Sequence, residues 1–216
     1  MSDEVVIRPY QPADRAAVRA ICCDTADGGE PVERFFPDRE VFADLITRYY
    51  TDCEPQSAWV AERDGQVVGY LIGCLDTRRF LRLMAWRLVP LAFLKAVGRG
   101  TLWHPQTVKL LSANLGGWLR GGFRKGVPLH DYPAHLHINM SKNARGQGAG
   151  PRLLQHFTDY VAAAGIRGIH AGVSSDNQPG CRFFESAGFT PIAREVRFHS
   201  PDAQTVRTTV IYGKKV

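Results

Sequence analysis

Ala134-His135-Leu136-His137-Ile138-Asn139-Met140, then Arg145-Gly146-Gln147-Gly148-Ala149-Gly150, then an apolar series at Leu153, Leu154, Phe157, Tyr160, Val161 and Ala164, decides the fold. The first stretch alternates as a strand does, and the last recurs at helical spacing until Gly165 ends it. Between them, glycines let successive main-chain N–H groups turn toward one point, with no side chain to block a phosphate. Those donors open a helix, whose N-terminal partial charge also favours an anion. Arg145 adds a positive charge. The chemistry that fits is a pyrophosphate. No Gly-Lys-Ser/Thr follows, which excludes a Walker loop, and the spacing and late position fit a dinucleotide fingerprint poorly.

Working toward the N-terminus, Val5 to Pro9 reads as a strand, and Pro12-Ala13-Asp14 starts a helix with Ala17, Val18, Ile21 and Cys22 on one face. Glu30 to Pro37 is a loop, after which Asp38 caps a second helix whose apolar side is Phe42, Leu45, Ile46 and Tyr49. Asp64-Gly65 is a two-residue hairpin turn joining a strand at Ser57 to Glu62 with one at Gln66 to Gly73. Toward the C-terminus come a strand at Ile166 to Val173, a helix from Pro179 to a Gly188 cap, and strands at Phe189 to Phe198 and Thr205 to Tyr212.

The stretch from 77 to 133 departs from this pattern. Between Thr77 and His130 stand ten Lys or Arg and no Asp or Glu. The net charge is +6, so the rest of the chain sums to 6 − 10 = −4. Breaks at Pro90, Gly98-Arg99-Gly100, Gly116-Gly117 and Gly121-Gly122 divide the stretch into two or three amphipathic helices. With Trp86, Trp103 and Trp118 it could bind nucleic acid, cover an acidic substrate or touch a membrane surface. The plainer account is a solvated helical face with its tryptophans turned into the core. Among functional accounts a lid over the acceptor site is preferred, and no nucleic-acid motif accompanies the charge.

The chain is 216 residues, 44% hydrophobic and 22% charged, which fits one domain over 1–216 carrying an insertion at about 77–133. Its five cysteines lack metal-ligand spacing and read as reduced thiols. Phe80 to Val97 is the most apolar stretch, yet Arg82, Arg87, Lys95 and Pro90 argue against a membrane span. An acidic start with no apolar leader points to the cytoplasm. No membrane insertion and no metal are expected, and oligomeric state is not legible.

A second motif lies about 30 residues beyond the glycine turn. It reads Asn177-Gln178-Pro179-Gly180-Cys181-Arg182-Phe183-Phe184-Glu185-Ser186-Ala187-Gly188-Phe189. Together the two resemble the GNAT acetyltransferases, which carry R/Q-x-x-G-x-G/A and then N-x-x-A-x-x-F-Y-x-x-x-G-F. Arg145, Gly148, Gly150, Asn177, Phe183, Gly188 and Phe189 match; Gly180 and Phe184 depart. Tyr132-Pro133-Ala134-His135-Leu136-His137-Ile138, with the insertion, is similar to the acetyltransferase-like C-terminal domain of O-GlcNAcase and its free-standing bacterial relatives. The eukaryotic domain has lost the pyrophosphate turn; this chain keeps it.

The resemblance implies an α/β fold of GNAT type: a mixed, mostly antiparallel sheet flanked by helices, with the insertion before the fourth strand. It implies acetyl-CoA on Arg145 to Gly150, with pantetheine along Ile138, Asn139 and Met140 in a gap between splayed strands, and Asn177, Phe183 and Phe184 alongside. The expected activity is acetyl-CoA-dependent transfer to a primary amine. Such amines have pKa values near ~10, so a base near neutrality helps, and imidazole suits the task. His135 and His137 point to one side of their strand and are the candidate bases, unless one is a buried strand residue. Arylalkylamine N-acetyltransferases carry a similar H-x-H, one residue further from the glycine turn. Relatives place a tyrosine where this chain has Phe184; Tyr132, Tyr212, Ser174 or water could protonate the thiolate instead, or it leaves unassisted. The alternative is a weak or inactive pseudo-acetyltransferase that binds acetyl-CoA or a protein partner.

Overall fold

The computed structural model describes residues 4–119, 126–197 and 207–216. Arg120, Gly121-Gly122, Arg124, Lys125, Phe198 and Thr205 lie outside these residues. Strands β1 (Val6–Pro9), β2 (Ala58–Arg63), β3 (Gln66–Cys74), β4 (Ala134–Met140), β5 (Gly168–Ser174), β6 (Thr190–Arg197) and β7 (Arg207–Lys215) make one sheet in the order β1-β2-β3-β4-β5-β7-β6. Every neighbouring pair is antiparallel except β4 and β5. The β2–β3 turn places Asp64 and Gly65 at positive φ, the backbone that Asp-Gly favours in a two-residue hairpin.

Alternation within the strands separates two cores. On one face, Leu71, Leu136, Ile169, Ala171 and Val173 pack under helix α6 (Ala149–Ala163), through Leu153, Phe157 and Val161. On the other, Val60, Tyr70, Ile72 and Cys74 meet α1 (Arg15–Asp24) and α2 (Arg39–Asp52). Helix α7 (Gln178–Ser186) buries Phe184 in the first core. The apolar side expected of α2 is only part of its contact surface. Phe42, Leu45 and Ile46 are half-buried, while Asp44 and Thr47 are buried outright, because α2 is covered on two sides. Asp44 is held there by ion pairs with Arg19 of α1 and Lys95.

The insertion is helical, as expected: α3 (Thr77–Leu83), a wide π turn (Met84–Leu88), α4 (Val89–Gly98) and α5 (Pro105–Leu119). Three expectations fail in detail. Pro90 does not break the run; it sits in the first turn of α4, just after the π turn, whose wider ring makes room for a residue without an N–H. Gly116-Gly117 does not break α5, since glycine in a helix costs only about 1 kcal/mol against alanine. Trp86 and Trp103 are not turned into the core but stand exposed. Gly98 to Gly100 does end α4, with Gly100 left-handed. Among the described residues no helix is long and apolar enough to cross a membrane.

Asp38 ties the insertion to the body of the fold. Its carboxylate accepts from the Glu40 and Val41 N–H groups at the start of α2, from Arg99 at 2.7 Å and from the Thr101 hydroxyl. Burial alone would raise its pKa, but these donors outweigh it and hold the group at about 2. Asp38→Ala removes a cap and two tertiary bonds together. It should lower the unfolding free energy by about 2 kcal/mol in urea titrations, whereas a loss below about 0.5 kcal/mol would contradict the assigned role.

Candidate functional site

The site begins where β4 and β5 part. Their parallel pairing is limited to Ala134 with Ile169 and His135 with His170; beyond these the strands diverge. The closed end is held by Tyr132, whose ring fills the space above Gly168 and Gly213, where any Cβ would lie within 3.0 Å of it. His170 Nδ1 meets the Tyr132 carbonyl at 2.8 Å, and Lys215 lies over the ring. Tyr132 therefore belongs to the hinge of the opening, away from its mouth.

On the far side of the opening, β4 remains paired with β3: Leu71 faces Ile138, Tyr70 faces Asn139 and Gly69 faces Met140. Ser141 N–H donates to Val68 O, so at a period of two the peptide groups of Asn139 and His137 also face β3. Those of Ile138 and Met140 face the opening. Arg145 Nε takes the Met140 carbonyl at 3.2 Å, which leaves the Ile138 peptide groups and the Met140 N–H. The expected run of Ile138 to Met140 is thus narrowed. Asn139 spends its main chain on β3, and its side chain donates to the buried Tyr70 hydroxyl at 2.8 Å.

The glycine turn follows at the mouth. Gly146 and Gly148 have φ of +77° and +78°, a left-handed backbone that side chains strain to adopt. A Cβ built on either would meet nothing within 4 Å, so the turn is an open cradle. Gly148 is the N-cap of α6, and no side chain caps that helix start, so the N–H groups of Ala149, Gly150 and Arg152 face an anion site without a side-chain cap, Pro151 between them having none to offer. Ala149 is buried beneath, Gly150 lies against Phe183, and Gln147 is held by Arg63. Arg145 does not project over the cradle; besides Met140 O, its guanidinium reaches Gly29 in the α1–α2 connection. These residues fit a pyrophosphate.

The second motif lies across the opening. Asn177 caps α7, its Oδ1 accepting from Gly180 N–H at 3.0 Å, so its role in this structure is to set the helix. A Cβ at residue 180 would come within 2.7 Å of Asn177 and 3.0 Å of Val173, which explains glycine there. Phe184 is buried and stacks on Tyr212, whose hydroxyl donates to Glu185 at 2.8 Å. The Ser174 hydroxyl, at the open end of β5, is buried with no hydrogen-bond partner. Extending the β4–β5 register sets Ser174 opposite Asn139. Sequence reasoning named Ser174 only among alternatives, because nothing in a lone serine signals an unpaired hydroxyl.

The histidine pair is split by its surroundings. Thr77 Oγ1 donates to Pro133 O, so at 2.7 Å from His135 Nδ1 it accepts, and Nδ1 carries the proton. Nε2 then accepts from the Tyr50 hydroxyl at 2.6 Å. His135 is buried with both nitrogens engaged, and burial, aided by His137 and His170, holds its pKa well below the ordinary imidazole value. His137 is on the same face but exposed, with its ring edge-on to Tyr50 at 5.7 Å. Among the described residues no group of His, Cys, Asp or Glu could hold a metal ion.

Four matches with known proteins bear on this geometry. A family profile described as the acetyltransferase (GNAT) family matches residues 113–189. The crystal structure of a protein called SsHAT is 30% identical, with a TM-score of 0.74 and 98% of each chain covered. Two more distant structures share the fold. The ribosomal-protein-alanine N-acetyltransferase from Brucella melitensis is 19% identical, with a TM-score of 0.58 over 98% of this chain and 99% of that one. The yncA protein from Salmonella typhimurium, solved with its cofactor acetyl-CoA, is 16% identical, with a TM-score of 0.57 over 98% and 94%.

The buried imidazoles make stability depend on pH in a definite direction. His135 and His170 are both depressed, chiefly by burial, so between their folded values and about 6.5 the unfolded chain binds more protons. Stability is full above that range and falls as the pH drops through it. The melting temperature should decline from pH 7.5 to 5.5, and His135→Gln should flatten the decline. A melt that does not move with pH would contradict the buried neutral pair.

Proposed function

The chain belongs to the GNAT acetyltransferase family, and from that premise we propose that it is an acetyl-CoA-dependent N-acetyltransferase acting on a primary amine. The observation that carries the proposal is the open cradle at Gly146 and Gly148 beside strands that part after two residue pairs. The first-turn N–H groups of α6 would hold the pyrophosphate, and the Ile138 peptide groups with the Met140 N–H would bond the pantetheine arm as an added strand. When bound, acetyl-CoA supplies an activated acetyl thioester. The Tyr132 to Ile138 run and the insertion support a place beside the O-GlcNAcase-like relatives.

His137 accepts the proton of the incoming ammonium. It is the exposed histidine of the strand, on the face covered by α1 and α2, whereas His135 is buried. His135 positions it instead, by fixing Tyr50, against which His137 packs. Phe184 has no proton to give, and the Tyr212 hydroxyl is committed to Glu185. The Ser174 hydroxyl has no such commitment and is proposed to protonate the departing thiolate. A pseudo-acetyltransferase is the second reading, favoured by Phe184 at the usual tyrosine position and by Arg145 turned from the cradle.

Acetyl-CoA should raise the melting temperature, and Gly148→Asp should abolish the rise by setting a carboxylate in the cradle; an unchanged rise would remove the assigned site. His137→Ala should keep the rise and lower thiol release across an amine panel by about 100-fold or more. Binding without thiol release in the unaltered protein would favour the second reading.

A further inference from the structure

Helix α4 is inside out. Its residues against the body of the fold are small, Ala92 and Ala96 at 3% exposure each, while Trp86 just before it, Phe93 and Leu94 stand at 86%, 55% and 64%. Trp86, Val89, Phe93, Leu94 and Val97 follow one another at intervals of three, four, one and three residues, which draws a single stripe along the solvent side. The alanines let α4 lie close to α2, and the large side chains are left uncovered. With Leu91 the stripe joins six exposed large apolar side chains along one helical run, the kind of contiguous apolar surface that marks an interaction site rather than a scattered single residue.

We propose that this stripe is a two-fold interface, on which α4 of a second copy of the chain packs antiparallel. The stripe is complementary to itself when reversed. Trp86 stands at one end and Val97 with Gly98 at the other, so a two-fold axis near Leu91 lays each indole against the small end of the partner helix and Val89 against Leu94. Charge agrees with this. The cations of α4 and its cap are neutralised within their own chain, Lys95 by Asp44 and Glu40 and Arg99 by Asp38, so the stripe carries none uncompensated. Arg87, beside Trp86, comes to the C-terminal end of the partner α4, where the helix dipole is negative.

Sedimentation velocity at micromolar concentration tests the proposal. The expected mass is near twice that of the 24.0 kDa chain. Phe93→Glu, at an exposed position, should weaken self-association by about a hundredfold while leaving circular dichroism and the melting curve intact. Should that variant fail to fold, Trp86→Ala serves, with an expected loss of about tenfold or more. A monomeric unaltered protein overturns the proposal, and so does a dimer indifferent to a folded variant. So does a monomer that co-sediments with phosphatidylglycerol vesicles and not with phosphatidylcholine ones, which would assign the stripe to an anionic bilayer.

Discussion

Two residue pairs, Ala134 with Ile169 and His135 with His170, are all that joins the halves of the sheet, and the arrangement of the site follows from their being so few. A continued ladder would have spent the peptide groups of Ile138 and Met140 on β5. Because the strands part, the Ile138 peptide groups and the Met140 N–H are not spent on β5, and the start of α6 opens beside them. Tyr132 packed over Gly168 and Gly213 keeps the closed end closed. The chain of bonds from Tyr50 through His135 and Thr77 to the Pro133 carbonyl holds the last paired residue of β4 in one orientation. The opening is thus set by packing at its hinge.

The same network separates two imidazoles that the sequence presents as equals. Two residues apart on one face, they differ in what covers them. Thr77, at the start of the insertion, and Tyr50, on α2, close over His135, while His137 stays exposed with its ring against the edge of Tyr50. Burial and saturation keep the first neutral and make it a support. The second is left exposed at the surface.

Much of this was legible from residue order, and the reasons are local. Glycines at 146 and 148, an alternating strand before them and a periodic helix after them each constrain the backbone directly, and the structure has all three. Asp64-Gly65 and the Asp38 cap are equally local signals, and both are found where expected. What escaped depends on partners distant in sequence. The split between His135 and His137 is made by Tyr50 and Thr77, 85 and 58 residues from His135. The place of Tyr132 in the hinge rests on Gly168 and Gly213, and that of Phe184 on Tyr212. Trp86 and Trp103 were misplaced because amphipathic periodicity says which residues share a face, not which face turns inward.

The π turn at Met84 to Leu88 sets which way α4 faces. A wide turn accommodates about one residue more than a regular one, and one residue is worth about 100° of rotation about a helix axis. Everything after it is therefore indexed by a count rather than by composition. Shortened by one residue there, the same amino acids would swing Lys95 away from Asp44 and carry the alanines off α2. The insertion behaves as a ratchet with one tooth, and its orientation is stored in chain length.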